Sequence, residues 1–279
     1  MNSPGDVIIM AEATSGRYPV LKWDDGRVYQ LDDDVAEEVP VALVYNGISH
    51  AVMLATPQDL EDFALGFSLT EGIIAKADEI FGIDIVHHPK GIELHIELAS
   101  ERFQSLKQRR RSMTGRTGCG LCGAESLDQV MGDMGNVINV QERIHTRAIE
   151  KAYANIRSQQ QIQSITGGTH ACAWVDLDGN ISILREDVGR HNALDKLIGA
   201  KMKANAPAHG FVLTTSRASY ELVQKVASAG IPVLVAVSAP TGLAIKTAQR
   251  CGVTLVAFAR DHQHVVYSRP ERIVHKEEQ

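Results

Sequence analysis

Cysteine is scarce in this chain, which has only four among its 279 residues: Cys119, Cys122, Cys172 and Cys251. Two of them lie close together in sequence and two lie in apolar surroundings, a distribution that provides no disulfide framework. We therefore expect a reducing compartment. Residues 1–6 also lack a positively charged segment ahead of the short apolar run that follows. We therefore expect no secretory signal and a cytoplasmic location.

Long apolar runs and an excess of positive charge are absent as well. The longest apolar stretches, such as residues 233–237, are far too short to span a bilayer, which argues against a membrane protein. The formal net charge is −6, which argues against nucleic acid as the principal partner. The hydrophobic fraction of 44% is enough for a sizeable core, and the length suits one large or two modest domains.

The first hundred residues are predicted to form a small N-terminal α+β subdomain. Residues 39–45 and 48–55 read as two strands around an Asn-Gly pair, which is typical of a hairpin turn. Thr56 and Pro57 are typical of a helix start. Residues 1–20 show no clear periodicity. We assign residues 1–100 to this subdomain and residues 101–135 to a connecting region that carries the paired cysteines.

A different pattern fills residues 136–270, where apolar runs alternate with helical periodicity. The apolar runs are residues 211–215, 232–237 and 253–259, and the helical segments are residues 192–202, 216–229 and 241–250. Valine-rich strands that alternate with helices are typical of a parallel sheet covered by helices. We therefore predict an α/β domain over residues 136–270, followed by a charged tail at residues 271–279.

The carboxyl ends of these strands form a candidate binding edge, because ligands of open parallel sheets bind there. Ser216, Arg217, Thr241 and Arg260 follow the three strands, and Ser216 and Thr241 are predicted to begin helices. Hydroxyl groups, a guanidinium and the free amides of helix starts all bind anions. The sequence therefore predicts a phosphate-bearing ligand, although it contains neither a P-loop nor a Gly-x-Gly-x-x-Gly fingerprint.

The most informative segment is TGCGLCG, residues 117–123, which places Cys119 and Cys122 among three glycines. Glycine-rich sequence favours a mobile loop. The basic run at residues 107–111 favours thiolate over thiol, and the thiolate is both the nucleophile and the metal ligand. The pair therefore suits sulfur relay, disulfide exchange or metal binding.

Zinc binding and disulfide exchange are the weaker interpretations of this pair. A structural zinc site takes four ligands, and since no second Cys-x-x-Cys is present, His145 or His170 would have to complete it. A redox pair usually begins a helix after a strand, whereas this pair lies among glycines. Cys172 and Cys251 are predicted to be buried as small hydrophobic residues. We expect a protein without zinc.

Residues 185–192, REDVGRHN, crowd charged side chains between a predicted strand and a predicted helix. An ordinary polar connection with Asn192 as the helix cap is one interpretation. We favour a functional role, because sites are often built where elements meet.

Six segments together resemble the FdhD/NarQ family, the formate dehydrogenase accessory sulfurtransferases. They are TGCGLCG at 117–123, TGGTH at 166–170, REDVGRHNALDK at 185–196, TSRASYE at 215–221, SAPT at 238–241 and FAR at 258–260. The resemblance extends from about residue 39 to the final strand. Two mild departures from the family pattern are Cys172, at a position for a small residue, and the variable stretch at 260–263.

The resemblance implies that the protein accepts persulfide sulfur from a cysteine desulfurase. It would pass the sulfur to the molybdenum or tungsten bis-guanine-dinucleotide cofactor of formate dehydrogenase. Cys119 would carry the persulfide and Cys122 would assist, although the sequence alone does not choose between them. Ten residues are predicted to contact the bound molybdopterin guanine dinucleotide cofactor. They are Phe258, Ala259, Arg260, Asp261, His262, Gln263, Ser216, Arg217, Thr241 and His191.

The resemblance also implies a homodimer and a fold similar to cytidine deaminase, a layered sandwich with a mostly parallel sheet. Zinc-dependent deamination is not implied, because its signature needs a glutamate after the zinc-binding histidine and a proline directly before Cys-x-x-Cys. The chain has neither, since Ala171 and Cys172 follow His170. A non-catalytic cofactor-binding chaperone for formate dehydrogenase remains as the alternative function.

Overall fold

The computed structural model describes residues 13–114, 138, 140, 142–204 and 206–275. It begins with a long hairpin of β1 (Ser15–Asp24) and β2 (Arg27–Ala36), whose ten residue pairs are all in register. The sequence pattern did not predict this hairpin. Apolar side chains such as Leu21, Trp23 and Val28 are exposed on it, so no buried face imposes the alternation by which strands are recognised.

A four-stranded sheet follows, in the order β4-β3-β6-β5. Its strands are β3 (Val39–Tyr45), β4 (Ile48–Ala55), β5 (Ile80–His88) and β6 (Gly91–Leu98). The predicted hairpin is confirmed, because Asn46 and Gly47 both have positive φ, at 45° and 79°, as the favoured two-residue hairpin turn requires.

Two helices accompany this sheet. Helix α1 (Leu60–Thr70) packs Phe63 and Phe67 onto the sheet together with Leu43, Leu94 and Ile96. It begins at Leu60 rather than at the predicted Thr56, after Asp59 in a left-handed conformation. Helix α2 (Ser100–Thr114) occupies part of the predicted connecting region.

The second sheet has six strands in the order β13-β12-β11-β10-β8-β9. A short pair of β7 (Ile144–His145) and β14 (Ile273–Val274) lies outside it. The six strands are β8 (His170–Val175), β9 (Ile181–Asp187), β10 (Phe211–Thr214), β11 (Val233–Ala236), β12 (Thr254–Arg260) and β13 (Gln263–Ser268).

This sheet is mixed, so the prediction of a mostly parallel sheet is wrong. Only β10 with β11 and β11 with β12 pair in parallel, whereas β8 with β9, β8 with β10 and β12 with β13 are antiparallel. The three central strands follow the predicted β-α-β-α-β order. Hairpins add the antiparallel strands at both sides, and β13 was not predicted. The protein is thus a mixed α/β fold, and its likeness to cytidine deaminase stays a prediction.

Helices cover both faces of the six-stranded sheet. The five helices of this part are α3 (Thr146–Gln159), α4 (Gln161–Thr166), α5 (Arg190–Lys203), α6 (Tyr220–Ser228) and α7 (Gly242–Cys251). Helices α5, α6 and α7 share one core with Trp174 and Leu234, and α3 shares another with Phe211 and Val233. No helix in the described ranges is both long enough and apolar enough to cross a bilayer.

The two sheets are joined where α1 meets α5. A Cβ atom added to Gly66 of α1 would overlap the carbonyl oxygen of Asp195, and one added to Gly199 of α5 would overlap the carbonyl oxygen of Asp62. Because glycine has no side chain, the two helix backbones approach each other directly. Any larger residue at either position would force the helices apart.

A buried ion pair lies beside this helix contact. Lys196 Nζ lies 2.7 Å from Asp187 Oδ2, and both side chains are fully buried. Lys196 also donates to the carbonyl oxygen of Thr56, whose own amide donates to Asp187. Gly189 N and Asn192 Nδ2 donate to the other carboxylate oxygen. The pair is therefore hydrogen-bonded to both parts of the chain, as a buried ion pair must be.

A second buried pair extends the same junction. Asp195 of α5 accepts from Thr70 at 2.7 Å and from Lys225 at 2.9 Å. Burial raises the pKa of Asp195, and the Lys225 ammonium opposes that rise. Arg185 bonds Asp62 of α1 at 2.7 Å. Much of the charged segment 185–196 thus holds the two sheets together.

Replacing Gly66 by alanine should destabilise the protein by roughly 3 kcal/mol, the upper end of ordinary overpacking, because backbone blocks the new methyl group. Gly242→Ala is the matched control, since nothing lies within 4 Å of a Cβ there. That change should be neutral or stabilising by up to about 1 kcal/mol. Thermal unfolding followed by circular dichroism measures both variants. Equal midpoints for Gly66→Ala and the parent would contradict the close helix contact.

Lys196→Met should lower the free energy of unfolding by about 3–5 kcal/mol, because it leaves the Asp187 charge buried without its counter-ion. Lys203→Met in the same helix removes a half-exposed ion pair with Asp62 and should cost about 1 kcal/mol or less. Urea unfolding measures the difference. If the two variants lose similar stability, the buried pair is not the main connection between the sheets.

Candidate functional site

The candidate site lies at one edge of the six-stranded sheet. His170, the first residue of β8, pairs with Asp187, the last residue of β9. The amide of Thr215, which follows β10, donates to Ala171 of β8 at 3.0 Å. Antiparallel β8 therefore contributes its amino end where β9 and β10 contribute their carboxyl ends. Side chains from distant parts of the chain meet at this edge.

Backbone hydrogen bonds connect the loops that follow β10, β11 and β12. Ala218 N donates to Ala239 O at 3.1 Å, and Thr241 N donates back to Ala218 O at 3.0 Å. Phe258 N donates to Ser238 O at 3.3 Å. These loops form one continuous surface, which we call the ledge: residues 215–219, 238–241 and 258. The ledge brings together three of the segments predicted from sequence.

Ser216 does not begin a helix, so that prediction is wrong. Its side chain is buried, lies 3.0 Å from the Thr214 hydroxyl oxygen and donates to the Arg217 carbonyl. Helix α6 begins four residues later, at Tyr220, after Ser219. Arg217 is exposed beside Ser216.

Thr241 precedes α7 as predicted. Its hydroxyl oxygen accepts a hydrogen bond from Ala244 N at 3.2 Å, which satisfies one of the free amides of the first turn. The hydroxyl is exposed at the ledge. Thr241 therefore both caps the helix and lies where a ligand would reach it.

The predicted segment 258–263 forms the end of β12 and the turn into β13. Phe258 has a φ of 52°, which is rare for a residue with a large side chain. Ala259 is buried in the core on the α3 side. Arg260, Asp261, His262 and Gln263 are exposed. Within this segment the exposed turn, rather than Ala259, offers side chains to a ligand.

His191 lies in the first turn of α5, beside the first turn of α6. Its Nε2 is 2.9 Å from Glu221 Oε2 and 3.4 Å from Ser219 Oγ. Burial lowers the pKa of His191, and the Glu221 carboxylate opposes that change. Ser219 and Glu221 were not predicted as site residues, although both lie in the TSRASYE segment. Only the packing of α5 against α6 brings them to His191.

The predicted sulfur carriers, Cys119 and Cys122, lie outside the described residues. Cys172 and Cys251 are buried as predicted. Burial raises the pKa of Cys172 to about 12 and also raises that of Cys251. Burial therefore disfavours, in both cysteines, the thiolate that nucleophilic attack needs. Over the part of the chain that the structure describes, no three His, Cys, Asp or Glu residues are grouped to hold a metal ion.

Comparison with known proteins agrees with the sequence motifs. The model of the FdhD/NarQ family matches residues 36–274. Sulfur carrier protein FdhD of Cupriavidus necator is 53% identical over 264 residues, covering 94% of this chain and 91% of that protein. Sulfur carrier protein FdhD of Xanthomonas euvesicatoria pv. vesicatoria is 51% identical over 249 residues, covering 89% of this chain and 88% of that protein.

A solved structure extends the similarity to the fold. It is a crystal structure described as a candidate formate dehydrogenase accessory protein from Desulfotalea psychrophila. It matches with a TM-score of 0.73 at 26% identity, over 94% of this chain and 100% of that chain. Because the family model spans most of the chain and the relatives are half identical to it, the chain belongs to the FdhD/NarQ family.

Proposed function

We propose that this protein is a sulfurtransferase that carries persulfide sulfur from a cysteine desulfurase to the molybdenum or tungsten bis-guanine-dinucleotide cofactor of formate dehydrogenase. The names of its relatives, sulfur carrier protein FdhD, support a sulfur-carrying role. The main structural support is the burial of Cys172 and Cys251. Of the four cysteines in the sequence, burial disqualifies these two and leaves Cys119 and Cys122 as the candidate carriers.

The sulfur steps follow from thiolate chemistry. The Cys119 thiolate attacks the outer sulfur of the desulfurase persulfide. A new S–S bond forms, the old S–S bond breaks and the desulfurase cysteine leaves as a thiolate. The basic residues that precede Cys119 in the sequence, at 107–111, favour its thiolate. Cys119 then holds the terminal sulfur as a persulfide. Where Cys122 assists release, its thiolate attacks the Cys119 sulfur, a Cys119–Cys122 disulfide forms, and the terminal sulfur leaves at the sulfide level for the cofactor.

The ledge is the proposed platform for the cofactor substrate. Hydroxyl groups of Ser219 and Thr241, the guanidinium of Arg217 and the turn at 260–263 are placed to contact its phosphates. We also propose that the cytoplasmic protein acts as a homodimer with a sandwich similar to cytidine deaminase. Residues 101–135, which we propose as the connection between the N-terminal subdomain of residues 1–100 and the α/β domain of residues 136–270, carry the two cysteines that transfer the sulfur.

A non-catalytic chaperone for the same cofactor is the second candidate. It would need the ledge but not the cysteines. The presence of a connected polar surface at 215–219 and 238–241 suits both functions. Replacement of the cysteines therefore distinguishes a sulfurtransferase from a non-catalytic chaperone.

Cys119 should gain one sulfur when the protein is incubated with a cysteine desulfurase and cysteine, because it is the proposed nucleophile. Peptide mass spectrometry locates the added mass. Cys119→Ala should abolish activation of formate dehydrogenase, whereas Cys172→Ala should retain it, since Cys172 is buried.

Full activation of formate dehydrogenase by the Cys119→Ala variant would instead support the chaperone function. Sulfur only on Cys172 or Cys251 would contradict the assignment. Elemental analysis of the purified protein distinguishes a zinc-binding adaptor, which would hold one zinc ion that is lost on Cys122→Ser.

GDP should bind to the ledge without either loop cysteine. The double change Cys119→Ala, Cys122→Ala should retain GDP affinity and lose sulfur transfer. Arg260→Ala should weaken GDP binding by about 1–3 kcal/mol, the scale of a charge-assisted hydrogen bond, whereas Arg27→Ala at the tip of the β1–β2 hairpin should not. Calorimetric titration measures all four proteins. If the double cysteine variant no longer binds GDP while Arg260→Ala binds it normally, the proposal that the cysteines carry sulfur and the ledge binds the nucleotide is wrong.

A further inference from the structure

Arg190 is a partly exposed arginine beside the candidate site. It is the first residue of α5 and follows the carboxyl end of β9. Throughout the ranges that the structure describes, its buried Nε has no hydrogen-bond partner. A buried donor without a partner costs about 1–3 kcal/mol of stability. Arg190 therefore weakens the fold at this position, and a role in binding a ligand would explain why an arginine is present.

The nearby carboxylates are already occupied by other groups. Glu186, four residues before Arg190, accepts from Ile162 N at 2.9 Å, Gln163 N at 2.8 Å and Thr169 Oγ1 at 2.9 Å. Both oxygens of Asp187 are engaged by Lys196 and the donors around it. These carboxylates are hydrogen-bonded within the scaffold, and among the residues that the structure describes neither forms an ion pair with Arg190.

Glu221 is the remaining acid of the ledge region, and it bonds His191 at 2.9 Å. The Arg190 charge is felt by both neighbouring imidazoles. Burial lowers the pKa values of His170 and His191, and Arg190 lowers both further. The two rings are therefore mainly neutral at pH 7 and do not supply positive charge. Arg190 therefore supplies positive charge beside these two rings.

From this geometry we infer that Arg190 is a phosphate-binding residue that holds the diphosphate of a guanine nucleotide at the β9–α5 end of the ledge. The inference rests on the proposed function and adds to it a contact outside the segments 215–219, 238–241 and 258–263. A guanidinium binds phosphate through two parallel N–H groups. Arg190 is partly exposed, and since no partner holds its Nε, turning toward an anion breaks no hydrogen bond there.

The test measures binding of GDP, guanosine and inorganic pyrophosphate to the full chain by calorimetry. Arg190→Gln removes the charge, and Arg190→Lys keeps the charge without the two-pronged geometry. Arg27→Gln is the matched control, because it removes the same charge at the exposed hairpin tip. Circular dichroism confirms that each variant is folded.

Arg190→Gln should weaken GDP binding roughly tenfold to a hundredfold, from the usual strength of a hydrogen bond to a charged group. It should weaken pyrophosphate binding similarly and leave guanosine binding unchanged. Arg190→Lys should fall between Arg190→Gln and the parent, and Arg27→Gln should match the parent within about twofold.

Three results overturn the inference in different ways. If the parent binds GDP and both Arg190 variants bind it equally well, Arg190 does not hold the diphosphate and the cofactor platform still stands. If the parent binds neither GDP nor pyrophosphate, both the platform and the role of Arg190 are wrong. Equal weakening of guanosine and GDP by Arg190→Gln would show a structural effect rather than phosphate binding.

Discussion

The buried ion pair between Lys196 and Asp187 is the interaction on which the rest of the structure depends. Both side chains are fully excluded from solvent and lie 2.7 Å apart. Charges in such a place are tolerated only when every polar group around them is satisfied. Thr56, Gly189 and Asn192 provide that satisfaction. The pair therefore fixes where the first sheet ends, where β9 ends and where α5 begins.

This arrangement connects stability to the candidate site. Asp187 holds the amide of Gly189, and the next two residues, Arg190 and His191, enter α5 at the edge of the sheet. The direct backbone contact between α1 and α5 at Gly66 and Gly199 also fixes the position of α5. A fixed edge allows polar groups to be preorganised for a ligand.

Local patterns in the sequence predicted the elements that depend on neighbouring residues. The Asn46-Gly47 pair correctly predicted the β3–β4 hairpin. The alternation of strands and helices correctly predicted β10, β11 and β12. Thr241 was correctly placed at a helix start, because a cap is a local feature. The family resemblance, carried by motifs spread along the chain, is confirmed.

Features that depend on tertiary contact could not be predicted in this way. The β1–β2 hairpin has no buried face to impose alternation. The antiparallel pairing of β8 with β10 and of β12 with β13 makes the sheet mixed, and the composition of the strands does not reveal it. Ser216 was expected to begin a helix, but its hydroxyl bonds within the loop instead. The charged segment 185–192 was interpreted as functional. Part of it is structural, because the partners of Asp187 and Arg185, which are Thr56 and Asp62, lie over a hundred residues away in sequence.

The central proposal is that the ledge, together with the neighbouring start of α5, binds the nucleotide part of the cofactor. Hydrogen-exchange mass spectrometry of the protein with and without GDP tests this claim most directly, because it reports each segment separately. The account predicts slower exchange on adding GDP in residues 187–192, 215–219 and 238–242, and no change in the hairpin at residues 15–36. Protection confined to the N-terminal sheet, with unchanged exchange at the ledge, would contradict it.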